Sequence, residues 1–255
     1  MKDLIYIAGP CAVESLDQIM SIGRAVKDVG ATHLRFMLYK PRTNPGSFQG
    51  VGDEGLGWTG EVRENVGLPL VTEVLDTRDV RKLADYFDIL QIGSRNSQNF
   101  ALIKEVGNVA RELGVGVILK RGASNTVDEW WGAYNYLEMD PVNPGEVYMC
   151  ERGVRSATNP GPKGNILDLS AVPLLNTVCH NVIVDPSHGT GKSSLVERMS
   201  LAAVAAGADG LEIEVHTNPL KSKSDPYQAI TPDEFGEVVR KCNIFRRAFE
   251  EAYRE

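Results

Sequence analysis

The chain has 255 residues, of which 42% are hydrophobic and 24% charged, with a formal net charge of −7. That balance suits a globular chain with a sizeable core, and its acidity argues against a general nucleic-acid or membrane binder. No apolar run approaches the ~18 residues of a membrane span, and the opening MKDLIYIAG is no secretory signal, so a cytoplasmic enzyme is expected. Cys11, Cys150, Cys179 and Cys242 lie far apart with no CxxC pair. They read as reduced thiols rather than a disulfide or zinc-finger framework.

In chain order, eight short apolar segments end in Gly, Pro or charge: Leu4–Ala8, Leu34–Tyr39, Leu68–Val74, Ile89–Gly93, Gly116–Lys120, Val147–Cys150, Val182–Asp185 and Leu211–Val215. Helical periods separate them, among others at Asp79–Phe87, Gln98–Leu113 and Leu195–Ala206. In the closing segment Thr231 is a good N-cap, Pro232 suits the first helical position, and Asp233 and Glu234 favour the positive end. Its Phe235, Val238, Val239, Cys242, Phe245 and Phe249 trace one face. Eight strands alternating with helices over this length predict a single-domain (β/α)8 TIM barrel spanning 1–255, with no appended regulatory domain. A doubly wound open sheet also alternates, but its dinucleotide form wants a GxGxxG turn after strand one, and GPCAVES is not one.

Barrel chemistry collects at the C-terminal strand ends. Those positions hold Cys11, Lys40 with Arg42, Glu73 with Asp76, Arg95, Lys120 with Arg121, Glu151 with Arg152, Asp185 with His188, and Glu214 with Asp225. The cations Lys40, Arg42, Arg95, Lys120, Arg121 and Arg152 come from four strands. Converging in an acidic protein, they call for phosphates or carboxylates, and their number suggests more than one anionic group. The competing reading pairs them with Glu73, Asp76 and Glu151. Barrel closure makes strand eight a neighbour of strands seven and one, so Cys11, His188 and Glu214 meet, with Asp225 reaching in from the last loop. A thiolate, an imidazole and two carboxylates suit a divalent ion such as manganese, iron, cobalt or zinc. His33, His180 and His216 read as structural. Gly189-Thr190-Gly191-Lys192-Ser193 looks like the end of a P-loop but has Pro186 where the pattern needs Gly.

At these residues the sequence resembles the 3-deoxy-D-arabino-heptulosonate 7-phosphate (DAHP) synthases of the type I beta group, and also the 3-deoxy-D-manno-octulosonate 8-phosphate (KDO8P) synthases. The resemblance rests on GPCAVES at Gly9–Ser15, KPRTNPGSFQG at Lys40–Gly50, VTEVLDTRD at Val71–Asp79 and LQIGSRNSQNF at Leu90–Phe100. It continues through ILKRG at Ile118–Gly122, CERGVR at Cys150–Arg155, VDPSHGTGK at Val184–Lys192 and AAVAAGADGLEIEVH, as far as Asp225. It implies condensation of phosphoenolpyruvate with erythrose 4-phosphate, the first step of the shikimate pathway, in a homodimer or homotetramer. It also implies metal ligation by Cys11, His188, Glu214 and Asp225. Arg95 and Arg152 would hold the phosphoenolpyruvate phosphate, and Lys120 and Lys40 would face its carboxylate and reacting carbons, with Lys40 the proton carrier. The run Lys40-Pro41-Arg42-Thr43 would embrace the aldose phosphate.

Three stretches depart from the family pattern. Relatives carry small residues where Phe36-Met37-Leu38 stands, HATG where His188-Gly189-Thr190-Gly191 stands, and an apolar residue at Glu212. Glu212 shares the parity of Glu214, which would point it into the barrel one layer lower, where a carboxylate needs a partner or a proton. These departures bear on the sugar substrate, leaving arabinose 5-phosphate as the runner-up and a secondary-pathway paralogue as a variant. A non-catalytic sensor of anionic metabolites has no need of Cys11.

Overall fold

The computed structural model describes residues 3–138, 147–156, 165–179 and 181–253. Eight parallel strands close into a barrel: β1 (Ile5–Gly9), β2 (His33–Arg35), β3 (Leu70–Val74), β4 (Ile89–Ile92), β5 (Gly116–Lys120), β6 (Val147–Glu151), β7 (Val182–Val184) and β8 (Gly210–Glu214). Consecutive strands pair in order and β8 closes on β1, with Ile7 opposite Glu212 and Gly9 opposite Glu214. Each strand lies within a few residues of its sequence expectation. The (β/α)8 barrel is therefore the fold, and the open sheet is excluded.

Residue parity divides the core. Ile7, Met37, Val71, Ile89, Ile118, Tyr148, Cys150 and Ile183 form one apolar cluster inside the barrel. The alternate residues Ala8, Leu34, Leu70, Leu90, Val117, Met149, Val182 and Leu211 face the helices in a second cluster. Strand β2 is shorter than expected, but its alternation persists past Arg35. Met37 joins the inner cluster, while Phe36 and Leu38 join the outer one, Phe36 edge-on to Phe87 at 5.7 Å between ring centroids. The bulk of Phe36 and Leu38 is thus taken up between barrel and helices. Gly9 is required by close approach: a Cβ there would lie 2.4 Å from the Arg35 carbonyl oxygen.

The helices start where the sequence provides caps. Ser15 of GPCAVES accepts from the Gln18 amide and begins the helix Leu16–Asp28. The closing helix Pro232–Ala252 opens with a reciprocal capping box between Thr231 and Glu234. Its first half buries Phe235, Val238, Val239 and Cys242 as expected, whereas Phe245 remains 43% exposed. Thr231→Ala is expected to cost about 1 kcal/mol and to lower Tm by roughly 2–4 °C without altering activity, as read by thermal denaturation beside an assay.

A two-stranded antiparallel ribbon of Val154–Arg155 with Asn165–Ile166 decorates the loop after β6 and has no counterpart in the sequence expectation. The Thr-Gly-Lys-Ser run forms no phosphate cradle. Gly191 caps the short helix Pro186–Thr190 in the left-handed region, at φ 67°, and Ser193–Ala205 starts a new helix. No helix among the described residues is long and apolar enough to cross a membrane, and no disulfide joins the four buried cysteines.

Candidate active site and metal centre

The four expected ligands meet at the C-terminal mouth. One donor atom from each of Cys11, His188, Glu214 and Asp225 lies within 4.8 Å of all the others. Cys11 follows β1, and its Sγ stands 3.7 Å from His188 Nε2 and 3.1 Å from Asp225 Oδ2. His188 Nε2 lies 3.8 Å from Glu214 Oε2. Asp225 enters from the last loop on a left-handed backbone, φ 50°, a conformation Asp tolerates better than most residues. Asp185 orients the imidazole: one oxygen caps the His188 amide at 2.8 Å and the other takes the Nδ1 proton at 2.7 Å. That leaves Nε2 as a lone-pair donor facing the other three groups.

The electrostatics of this cluster ask for a cation. Burial, followed by the Glu214 charge, pushes the Cys11 thiol up to about 12. Burial likewise raises the Glu214 carboxyl against the pull of Arg35 and Lys40. Burial holds the His188 imidazole well below its usual range, overriding Asp185, so the ring is neutral. Glu214 Oε2 accepts from Gln228 Nε2 at 2.5 Å, but its buried Oε1 has no hydrogen-bond partner. An orphaned carboxylate oxygen beside a neutral imidazole, a thiol and a second carboxylate fits a divalent ion.

Cations surround two connected spaces beside this cluster. The outer cavity, of about 430 Å³, is lined by all four residues of the Lys40–Thr43 run together with Arg95, Arg152 and Arg155. Beneath it an inner cavity of about 60 Å³ is floored by Arg35, Glu73, Gln91 and Lys120 and walled by Lys40, Arg95 and Arg152. Arg42, Arg95 and Arg152 make no ion pair among the described residues; Arg95 Nη2 reaches only Thr43 Oγ1, at 3.4 Å. Lys40 Nζ contacts Cys11 Sγ and lies 3.2 Å from Asp225 Oδ2. Burial alone would lower its ammonium, but Cys11 and Asp225 outweigh that and raise it. Gly93 makes room for the Glu73 carboxylate, since a Cβ there would stand 2.0 Å from Oε1.

Two strand-end residues leave the expected cation–anion assembly. Arg121 turns away to Glu151 at 2.9 Å and Asp168 at 2.8 Å, and Asp76 caps a surface turn and pairs with Arg78. The pairing reading therefore holds for Arg121 and Glu151 and fails for Arg42, Arg95 and Arg152. Arg35, Gln91 and Arg155 are site residues that sequence reasoning missed. Arg35 was legible by parity, since it points inward from β2 as Lys120 does from β5. Its Nε and Nη1 are buried without hydrogen-bond partners at the cavity floor. His33 bonds Thr32, and His216 bonds Gln18 and the Asn218 amide, so both are structural. His180 lies outside the described residues.

Comparisons with known proteins agree with this fold. The profile of the DAHP synthetase I family matches residues 2–247. The chain is 41% identical over 238 residues to the phospho-2-dehydro-3-deoxyheptonate aldolase of Thermotoga maritima, covering 92% of this chain and 68% of that one. The 2-dehydro-3-deoxyphosphooctonate aldolase of Geobacter sulfurreducens is more distant, 27% identical over 260 residues, covering 94% of this chain and 91% of that one. The crystal structure of the Thermotoga DAHP synthase superposes with a TM-score of 0.86 at 39% identity, over 96% of this chain and 70% of that one. A truncated form of the same enzyme gives 0.83 at 37% identity, over 96% and 87%. With a profile match along nearly its whole length and a barrel that superposes on a solved member, the chain belongs to the DAHP synthetase I family.

Proposed function

We propose that the protein condenses phosphoenolpyruvate with erythrose 4-phosphate and water to give DAHP and inorganic phosphate, the first step of the shikimate pathway. The observation that carries this reading is a four-donor ligand cluster opening onto a cavity walled by Arg42, Arg95 and Arg152, which make no ion pair among the described residues. Two phosphorylated substrates supply the anions that those arginines lack.

Arg95 and Arg152, which border both cavities, hold the phosphoenolpyruvate phosphate. Its carboxylate descends toward Lys120 and toward the N–H groups of Arg35 that make no hydrogen bond. Pro41, Arg42 and Thr43 embrace the aldose phosphate in the outer cavity. C3 of the enol attacks the aldehyde carbon, water adds at C2, and the hemiketal phosphate collapses to the ketone as phosphate leaves. Lys40, held protonated by its acidic neighbours, gives its proton to the nascent alkoxide. The surrounding guanidinium groups stabilise charge growing at C2 and on the departing phosphate. Cys11, His188, Glu214 and Asp225 would hold a manganese, iron, cobalt or zinc ion, which supplies Lewis-acid polarisation of the aldehyde when bound. The same reading extends to a cytoplasmic homodimer or homotetramer, with neither nucleic acid nor membrane as partner.

Erythrose 4-phosphate is expected to turn over well and arabinose 5-phosphate poorly, because Arg42 and Thr43 fix the phosphate of the shorter sugar. Phosphate release from phosphoenolpyruvate, followed against a panel of aldose phosphates, checks this. Comparable turnover with both sugars, or preference for the five-carbon one, would sink the assignment.

A further inference from the structure

Strand β8 carries two inward carboxylates, and the chemistry above uses only Glu214. Glu212 lies two residues earlier and is fully buried. A carboxylate in that position costs several kcal/mol unless cations compensate it. Two do: Lys120 Nζ donates to Oε1 at 2.9 Å, and Arg35 Nε lies 3.3 Å from the same oxygen. The other oxygen faces Cys150 Sγ at 3.8 Å. Glu212 therefore links β8 to β5 and to β2 across the barrel interior.

The two cations it holds are the two that floor the inner cavity. Lys120 divides its ammonium between Glu212 and Asp185, the latter at 2.6 Å. The Arg35 guanidinium is steered mainly by charge. Its nearest carboxylate is Glu212, Glu214 follows at 3.9 Å, Nη2 donates to Cys11 Sγ at 3.9 Å, and Nε and Nη1 make no hydrogen bond. Without Glu212, Lys120 would move over to Asp185, and Arg35 would turn toward Glu214 and Cys11. Both movements carry N–H groups away from the cavity floor. Packing alone does not require the carboxylate, because a buried ion pair is often replaced by apolar residues of similar volume without loss of stability.

We propose that Glu212 is a positioning residue that holds Lys120 and Arg35 from beneath, so that their N–H groups face the carboxylate of phosphoenolpyruvate. This rests on the functional reading above. The reach of the side chain sets the position of the two cations, so length matters more than charge. Gln keeps the Oε1 acceptor at the same reach and turns an N–H toward the Cys150 sulfur. Asp keeps the charge but withdraws it by one methylene, and Leu removes both.

Titration calorimetry with phosphoenolpyruvate, beside steady-state kinetics and thermal denaturation, tests this. Glu212→Leu and Glu212→Asp are expected to weaken phosphoenolpyruvate binding about 10-fold or more, in line with the cost of a misplaced binding group. KM for erythrose 4-phosphate should stay within about 2-fold, and Glu212→Gln should hold phosphoenolpyruvate within about 3-fold of the parent. Should Glu212→Leu fail to fold, the ordering of Gln against Asp decides. Asp binding better than Gln would make Glu212 a counter-charge and overturn the positioning role. So would equal loss of affinity for both substrates, or unchanged phosphoenolpyruvate binding in Glu212→Leu. Failure of the unaltered protein to bind phosphoenolpyruvate or release phosphate from it would instead overturn the functional reading, and the proposal with it.

Discussion

Exhaustive chelation is expected to lower turnover by about 10³-fold, the equivalent of roughly 4 kcal/mol of lost Lewis-acid stabilisation, and manganese, cobalt or iron should restore it. The cations among the described residues offset the four donors at the mouth only in part. Lys40 faces Cys11 and Asp225, and Arg35 reaches Glu214 only at 3.9 Å. Glu214 keeps one buried oxygen without a hydrogen-bond partner, its other oxygen lies 3.8 Å from His188 Nε2, and the proton taken by Asp185 leaves that Nε2 a free lone pair. Cys11→Ser isolates the thiolate: a neutral hydroxyl replaces a charged soft ligand, so metal affinity should fall about 10- to 100-fold, with the larger loss for the softer ions. Elemental analysis of protein dialysed at low metal reads that loss independently of activity. A divalent cation inverts the pressure on the Cys11 thiol, which burial otherwise holds up at about 12. Metal binding should therefore release a proton, detectable by calorimetry in buffers of different ionisation enthalpy. Full turnover by protein shown to be metal-free would remove the metal from the mechanism.

Most of this site was legible because barrel closure converts sequence order into spatial adjacency. Cys11, His188 and Glu214 lie at the ends of strands that closure makes neighbours, so their meeting needed only the strand count. Caps were legible for a different reason: Ser15 and Thr231 each act through an amide three residues away. The less legible features depend on side-chain direction. Arg121 and Lys120 are adjacent, but strand parity turns Lys120 into the cavity and Arg121 outward to Glu151. Arg35 stood at the N-terminal end of a strand expected to run from Leu34 to Tyr39, far from the end that carries the chemistry. The hydrogen-bonded strand ends at Arg35 itself, which puts that residue at the site. Glu212 had a predictable direction without a predictable partner, since Lys120 reaches it from across the barrel and not from a neighbouring strand. The ribbon that brings Arg155 to the outer cavity pairs two residues with two, too short for any periodic signal.

Lys40→Ala and Arg152→Ala are expected to fail in different ways. Lys40 Nζ sits among Cys11, Asp225 and the inner cavity, where the proposed mechanism puts the reacting atoms, and its acidic neighbours keep it protonated. Loss of a positioned proton donor typically costs 10²- to 10⁴-fold, so kcat should fall by about that factor. KM for phosphoenolpyruvate should move little, because Arg35, Lys120, Arg95 and Arg152 still line the inner cavity. Arg152 makes no ion pair among the described residues and borders both cavities. On the proposed reading a substrate phosphate engages its charge from binding onward, and loss of a charge-assisted contact of about 1.5–3 kcal/mol corresponds to roughly a 10- to 100-fold rise in KM for phosphoenolpyruvate. Some loss of kcat should accompany that rise, because phosphate leaves as charge grows on it. The separation is visible in full steady-state kinetics with each substrate varied at saturation of the other. A Lys40→Ala enzyme with near-normal kcat and raised KM, beside an Arg152→Ala enzyme with the reverse, would require the two roles to be exchanged.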